Sequence, residues 1–189
     1  NFGDDIVNHR TWAIAGDGCL MEGINHEAIG LAGHLKLGGL IVLWDDNNIT
    51  IDGTADLSTS ENVEARHQAA GWHTVRCDGH DPADISRAIE EAMADPRPSL
   101  VACKTIIGKG APNKQGTSGV HGAALGDDEV KAARASLGWD SPPFVIPDDV
   151  YQGWNAADKG ASAETDWQAR FDSYKTAYPE LAAEYQRRI

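Results

Sequence analysis

The 189-residue sequence predicts an α/β protein: an open, mostly parallel sheet with helices on both faces, followed by a proline-rich segment and a C-terminal amphipathic helix. Three observations predict it. Apolar, strand-like runs alternate with helix-like segments along most of the chain. The run Leu40-Ile41-Val42-Leu43-Trp44 contains no polar residue, as a strand covered on both faces requires. Three runs stop abruptly in polar or glycine-rich sequence: Gly16-Asp17-Gly18, Asp45-Asp46-Asn47-Asn48 and Gly108-Lys109-Gly110. A domain of this length buries roughly 70% of its extended-chain surface, so it needs no disulfide staples.

In order, residues 12–15 read as the first buried strand, and Ile24, Ala28, Leu31 and Ala32 then recur at helical spacing until the break at 33–39. The second strand is 40–44. Ile49-Thr50-Ile51 with Asp52-Gly53 reads as a short extended piece and a tight turn, because Asp-Gly accepts the positive backbone angles such a turn demands. A helix over about 60–70 carries Val63 and His67 on one face, a third strand spans 72–77, and Asp81-Pro82 opens a helix over 83–93. The fourth strand, 100–107, runs into a glycine-rich loop, and a helix is expected over about 127–137. Pro142, Pro143 and Pro147 then preclude regular structure and mark the edge of the α/β unit, giving domains at 1–140 and 141–189. Beyond them Trp167, Phe171, Tyr174, Tyr178, Leu181 and Tyr185 recur at spacings of three and four, predicting one long helix with a packed aromatic stripe.

Composition narrows the function. With 41% hydrophobic and 24% charged residues the chain is an ordinary globular protein, and its longest apolar stretch is too short to span a bilayer, so no membrane association is expected. Sixteen basic against 29 acidic residues give a net charge of −13, which argues against a nucleic-acid surface. Cys19, Cys77 and Cys103 are odd in number and lack a CxxC pair, so neither a disulfide framework nor a zinc ribbon is favoured, and a reducing cytoplasm is the expected compartment. The chain opens on Asn1-Phe2-Gly3 without Met or an apolar leader, so a piece of a longer protein is expected and a targeting peptide is not.

In an open parallel sheet, ligands bind beyond the carboxyl ends of the strands, so all three abrupt ends belong on one rim. Gly16 and Gly18 let backbone approach a ligand, and the helix that follows offers its first amides to an anion. Asp17 between them would repel a phosphate unless a divalent cation intervened. Mg²⁺ takes hard oxygen donors together with phosphate oxygens; Asp17 supplies a carboxylate, Asn47 an amide oxygen, and the next turn a backbone carbonyl. The implied ligand is a diphosphate.

Asp17 and Asn47 lie thirty residues apart, each just past an apolar strand, and this spacing resembles the thiamine diphosphate fingerprint. The flanking residues are similar to those of the transketolase family: Gly16 to Ile24, His26-Glu27, Leu31-Ala32-Gly33, Leu35 to Gly38, Asp45 to Gly53, Gly79-His80-Asp81, Lys104 to Gly110, and Val120-His121-Gly122-Ala123. The likeness runs over almost the whole chain but covers only part of a transketolase: the diphosphate-binding domain without its beginning, and neither the pyrimidine-binding nor the C-terminal domain. Two positions depart from it. Ser118 stands where members often carry a second histidine, and Ala124 where many carry proline.

The resemblance implies thiamine diphosphate and Mg²⁺ as cofactors, with Ca²⁺ or Mn²⁺ as substitutes. It makes the Asp17 and Asn47 side chains and the Ile49 carbonyl the metal ligands, and puts Gly16 and the Gly18 amide against the diphosphate. It places Ile51 and Ile107 against the thiazolium, and His121 over the diphosphate beside the reacting carbon. It assigns Glu22 to a hydrogen-bonded relay between the two active sites of a homodimer. The activity implied is transfer of a two-carbon ketol unit from a ketose phosphate to an aldose phosphate, as in the pentose phosphate pathway. The pyrimidine-binding domain of the same or a partner chain completes the site, so these residues alone are expected to be inactive. Dihydroxyacetone synthase, deoxyxylulose phosphate synthase, or a non-catalytic cofactor-binding or dimerisation subunit are the alternatives.

Overall fold

A computed structural model describes residues 2–189. The chain divides into two compact units, Arg10–Asp140, and residues 2–9 with Ser141–Ile189.

The larger unit is built on four parallel strands, β1 (Thr11–Gly16), β2 (Leu40–Asp46), β5 (His73–Asp78) and β6 (Ser99–Lys104), in the order β1-β2-β6-β5. A small antiparallel hairpin, β3 (Ile49–Thr50) with β4 (Gly53–Thr54), follows β2; its turn is Ile51-Asp52, one residue earlier than the expected Asp52-Gly53, and Gly53 opens β4. The two-residue period of β2 splits its unbroken apolar run between two cores. On one face Leu40, Val42 and Trp44 join Leu20 of α1 (Asp17–Met21), Ile29 and Ala32 of α2 (Gly23–His34) and Val63 of α3 (Val63–Ala69). On the other, Ile41 and Leu43 meet Ile85, Ala88 and Ala92 of α4 (Pro82–Ala94). Ile41, Leu100 and Val101 are fully buried, each worth roughly 1.5–3 kcal/mol relative to exposure. Trp72 fixes α2 to the sheet by donating its indole N–H to the Ile29 carbonyl at 2.9 Å. Gly33 lets the same helix approach closely, since a Cβ there would lie 1.8 Å from the Ala70 carbonyl oxygen.

Four expectations need correction here. The helix after Gly16 is not continuous: α1 has five residues and ends at Glu22, whose extended ψ of 140° separates it from α2. Within α2 the buried residues are Ile29 and Ala32, while Ile24 and Leu31 are exposed and Ala28 faces solvent as well. The fourth strand stops at Lys104, not Ile107, because its neighbours stop there: Lys104 pairs with Asp46 of β2 and Asp78 of β5, and among the described residues neither pairing continues further. Finally, β1 forms but is not buried: of the expected stretch 12–15 only Ala15 is covered, because β1 is an outer strand of the sheet. His67, on the face it was expected to share with Val63, is a core residue. It is buried, donates its Nδ1–H to the Val63 carbonyl at 2.7 Å, and packs edge-on against Trp72.

The loop after β6 leads to α5 (Asp127–Leu137), which matches its predicted span. Glu129 on this helix accepts from both the backbone N–H (2.8 Å) and the side-chain amide (2.9 Å) of Asn113, tying the loop to α5.

In the smaller unit the proline-rich segment does contain a helix, α6 (Asp148–Trp154). Pro147 immediately precedes it, where a missing amide donor costs nothing, and Asp148 and Asp149 favour its first turn. The long C-terminal helix is two helices, α7 (Ala157–Ala177) and α8 (Pro179–Arg188), broken where Pro179 cannot continue the hydrogen-bond ladder. The aromatic stripe folds back on itself at this break. Trp167, Phe171 and Tyr174 of α7 pack with Ala182 and Tyr185 of α8 and with Phe2 and Ile6, and the Trp167 indole donates to the Ile6 carbonyl at 3.0 Å.

Candidate functional site

Parallel pairing of β1 with β2 sets Gly16 opposite Asp45, so Asp17 and the Asp46–Ile49 segment emerge side by side from one rim. Asn48 takes a left-handed φ of 60°, which asparagine tolerates, and this bends the chain sharply between Asn47 and Ile49. Asn47 is fixed from both ends of its amide: Nδ2 donates to Asp45 Oδ2 at 3.1 Å and Oδ1 accepts from the Ile49 N–H at 2.9 Å.

Asp17 is buried, and Oδ1 accepts the indole N–H of Trp44 at 3.2 Å. Its other oxygen, Oδ2, is buried with no hydrogen-bond partner. Burial is the main influence on this carboxyl and raises its pKa; the Trp44 hydrogen bond opposes that, the charge of Asp46 adds to it, and the Asn48 and Ile49 amides oppose it. An acid so placed gains from a cation that reaches Oδ2. A small cavity of about 150 Å³ adjoins it, bounded by Leu20, Trp44, Asp46, Asn48 and Glu61. A Cβ at Gly16 or Gly18 would meet nothing within 4 Å, so the space over this turn is open to a ligand.

Thus the structure brings Asp17 together with the Asn47–Ile49 turn, a set of carboxylate, amide and carbonyl oxygens suited to a hard dication with phosphate. Among the described residues no group of three or more His, Cys, Asp or Glu side chains could hold a metal ion, so a metal here depends on amide and carbonyl donors. The short α1 keeps free first-turn amides, while five residues sum little macrodipole.

The other residues singled out by sequence are placed separately. Ile51 sits in the β3–β4 turn and is 72% exposed. Ile107 lines a groove of about 410 Å³ with Ile14, Leu43, Cys103 and Thr105, on the sheet face opposite Trp44. His121 is exposed after a short 3₁₀ turn, its N–H donating to the Ser118 carbonyl at 3.0 Å. Glu22 is exposed at the break between α1 and α2.

Sequence reasoning passed over the support of this rim. Asp46 is buried and accepts from Arg76 at 3.0 Å and Lys104 at 3.2 Å, and Arg76 also holds Glu64. Thr105 donates to Asp45, and the Ile106 N–H donates to His80 Nε2 at 2.8 Å. Alternation along β2 was the available signal for Asp46, since it puts residue 46 on the same covered face as Trp44.

An open parallel sheet whose carboxyl rim carries Gly-Asp-Gly on one strand and Asn-Asn on its neighbour defines a diphosphate-binding α/β domain. The chain belongs to the family described as transketolase, thiamine diphosphate binding domain, whose profile matches residues 1–189. A transketolase of Cereibacter sphaeroides is 59% identical over 173 residues, which are 91% of this chain and 26% of that protein. Transketolase 1 of Aliivibrio fischeri is 56% identical over 188 residues, 99% of this chain and 28% of that protein. The solved transketolase from Leishmania mexicana matches with a TM-score of 0.90 at 37% identity, covering 95% of this chain and 28% of its own. Pichia stipitis transketolase in complex with sedoheptulose-7-phosphate matches with a TM-score of 0.88 at 43% identity, covering 95% and 27%. The chain therefore spans little more than a quarter of the length of the relatives it matches. Among the described residues no helix is long and apolar enough to cross a membrane.

Proposed function

We propose that the protein carrying this chain is a transketolase, and that this domain holds the diphosphate end of thiamine diphosphate through Mg²⁺. The observation that carries the reading is the unpartnered, buried Oδ2 of Asp17 at the joined ends of β1 and β2. Asp17, the Asn47 side chain and the Ile49 carbonyl hold the cation, and Gly16 and the Gly18 amide line the diphosphate. Ile51 and Ile107 give the thiazolium an apolar flank. His121, exposed on a glycine-rich loop, binds substrate hydroxyls and exchanges a proton with them. When bound, thiamine diphosphate supplies the nucleophilic carbon and the electron sink for moving a two-carbon ketol unit between sugar phosphates. The chain's own contribution is orientation and charge compensation.

The exposed Ile24, Leu31 and Leu35 support a homodimer, because a helix face of this kind gains from a second subunit, and Glu22 stands at its start. The pyrimidine-binding domain of the same or a partner chain completes the site. Three free cysteines suit a reducing cytoplasm.

Calorimetric titration of the intact protein with thiamine diphosphate and Mg²⁺ tests the assignment. Asp17→Ala is expected to weaken Mg²⁺-dependent affinity by at least the roughly 10–100-fold typical of outer-shell losses. Unchanged affinity would remove the basis for the reading.

A further inference from the structure

One register row crosses the whole sheet, from Gly16 through Asp45 and Cys103 to Cys77. Its last two members are cysteines on adjacent parallel strands, directly paired, on the same face and in the same apolar cluster. Neighbouring strands lie roughly 4.8 Å apart, inside the span of about 4.4–6.8 Å between the Cα atoms of a disulfide. The surroundings of the two sulfurs differ in sign. Cys77 lies within electrostatic reach of the Arg87 guanidinium, which is held there by its hydrogen bond to the Arg76 carbonyl at 2.9 Å. Cys103 instead faces the carboxylate of Asp45, and its thiol donates to the Val101 carbonyl at 3.6 Å. Each borders a groove at the carboxyl rim, Cys77 beside His80 and Lys104 and Cys103 beside Ile14 and Leu43.

We infer that Cys77 and Cys103 form an asymmetric dithiol that a small hydroperoxide oxidises to an intramolecular disulfide, with Cys77 attacking first and Cys103 resolving. The chemistry balances. The Cys77 sulfur takes the terminal peroxide oxygen as the O–O bond breaks, giving a sulfenic acid and releasing an alcohol, or water from hydrogen peroxide. Cys103 sulfur then attacks the Cys77 sulfur, forming the S–S bond and expelling the hydroxyl as water with the thiol proton. Two thiols are oxidised by two electrons and one peroxide is reduced. Burial, the neighbouring Cys77 thiol and the Asp45 charge push the Cys103 thiol up to about 12, so it keeps its proton while the first step occurs at its neighbour. Cys77 is buried at the wall of its groove, which restricts the oxidant to a small one. Cys19, exposed on α1, is outside the pair.

The intact protein, treated with hydrogen peroxide while folded, alkylated in denaturant and digested without reductant, reports the outcome. The expected product is a linked peptide joining Cys77 to Cys103, with the loss of two free thiols and of two hydrogen masses, reversed by dithiothreitol. In Cys103→Ser, dimedone is expected to trap a sulfenic acid at Cys77; in Cys77→Ser, Cys103 is expected to stay a thiol. Recovery of alkylated Cys77 and Cys103 from oxidised wild-type protein, with oxidation confined to Cys19, overturns the dithiol without any variant needing to fold. A sulfenic acid at Cys103 in Cys77→Ser overturns the assigned order of attack.

Discussion

The indole of Trp44 donates to Oδ1 of Asp17 across 3.2 Å, joining the end of β2 to the turn after β1 through a single buried hydrogen bond. The bond leaves Oδ2 buried and without a hydrogen-bond partner. It also resists the rise in pKa that burial imposes, so Trp44 both aims the carboxylate and helps keep it charged.

Trp44→Phe keeps the aromatic packing of the strand and removes the donor. Mg²⁺-dependent thiamine diphosphate affinity is expected to fall about tenfold, the lower end for lost outer-shell partners. Calorimetric titration of the intact protein checks it, with the melting midpoint as a control for packing.

Two glycines on one helix should respond in opposite directions. At Gly30 a Cβ meets nothing within 4 Å, so Gly30→Ala is expected to stabilise by about 0.5–1 kcal/mol through helix propensity. At Gly33 the new Cβ would collide with the Ala70 carbonyl, so Gly33→Ala is expected to cost about 1–3 kcal/mol. Urea unfolding of the two variants measures both; equal shifts would contradict the packing of α2.

How much of this was legible in advance varies with the physics of each segment. β2 could be read directly, because an unbroken apolar run between turn signals has few other uses. The end of β6 could not: Thr105, Ile106 and Ile107 have strand-forming side chains, and what stops the strand is the lack of a neighbour beyond Asp46 and Asp78. The face of α2 was misread because Ile24 and Leu31 compete with Ile29 and Ala32 at equally regular spacing. In the site, Asp17 and Asn47 were visible through their glycine and asparagine neighbours. Arg76 and Lys104, which hold Asp46, come from strands adjacent only in the folded sheet.

His67 gives the unit an acid-sensitive point. Burial chiefly lowers its pKa from 6.5, so the unfolded chain takes up the proton more readily than the folded one. Its contribution is present above pH 6.5 and is lost as pH falls through the folded value. His67→Phe is expected to flatten the acid limb of the stability curve by at most about 1.4 kcal/mol per pH unit, measured by urea unfolding across that limb. Parallel curves for the two proteins would show that another group dominates.

Glu129 anchors the loop that leads to His121. Removing its carboxylate takes the acceptor from two amide donors of Asn113, so Glu129→Ala is expected to loosen the loop. Limited proteolysis should then cut within residues 108–122 before any other segment opens. A cleavage pattern identical to wild type would place the loop's anchorage elsewhere.

Along β1, Trp12 and Ile14 share the sheet face of Ile41 and Leu43 but remain 44% and 81% exposed, and β1 is an outer strand. Purified by themselves, these residues would therefore present an adhesive strip with unsaturated amide and carbonyl groups beside it. Only the surplus of acidic side chains would keep such molecules apart, so turbidity should develop as a solution is acidified toward carboxylate protonation or as salt is added.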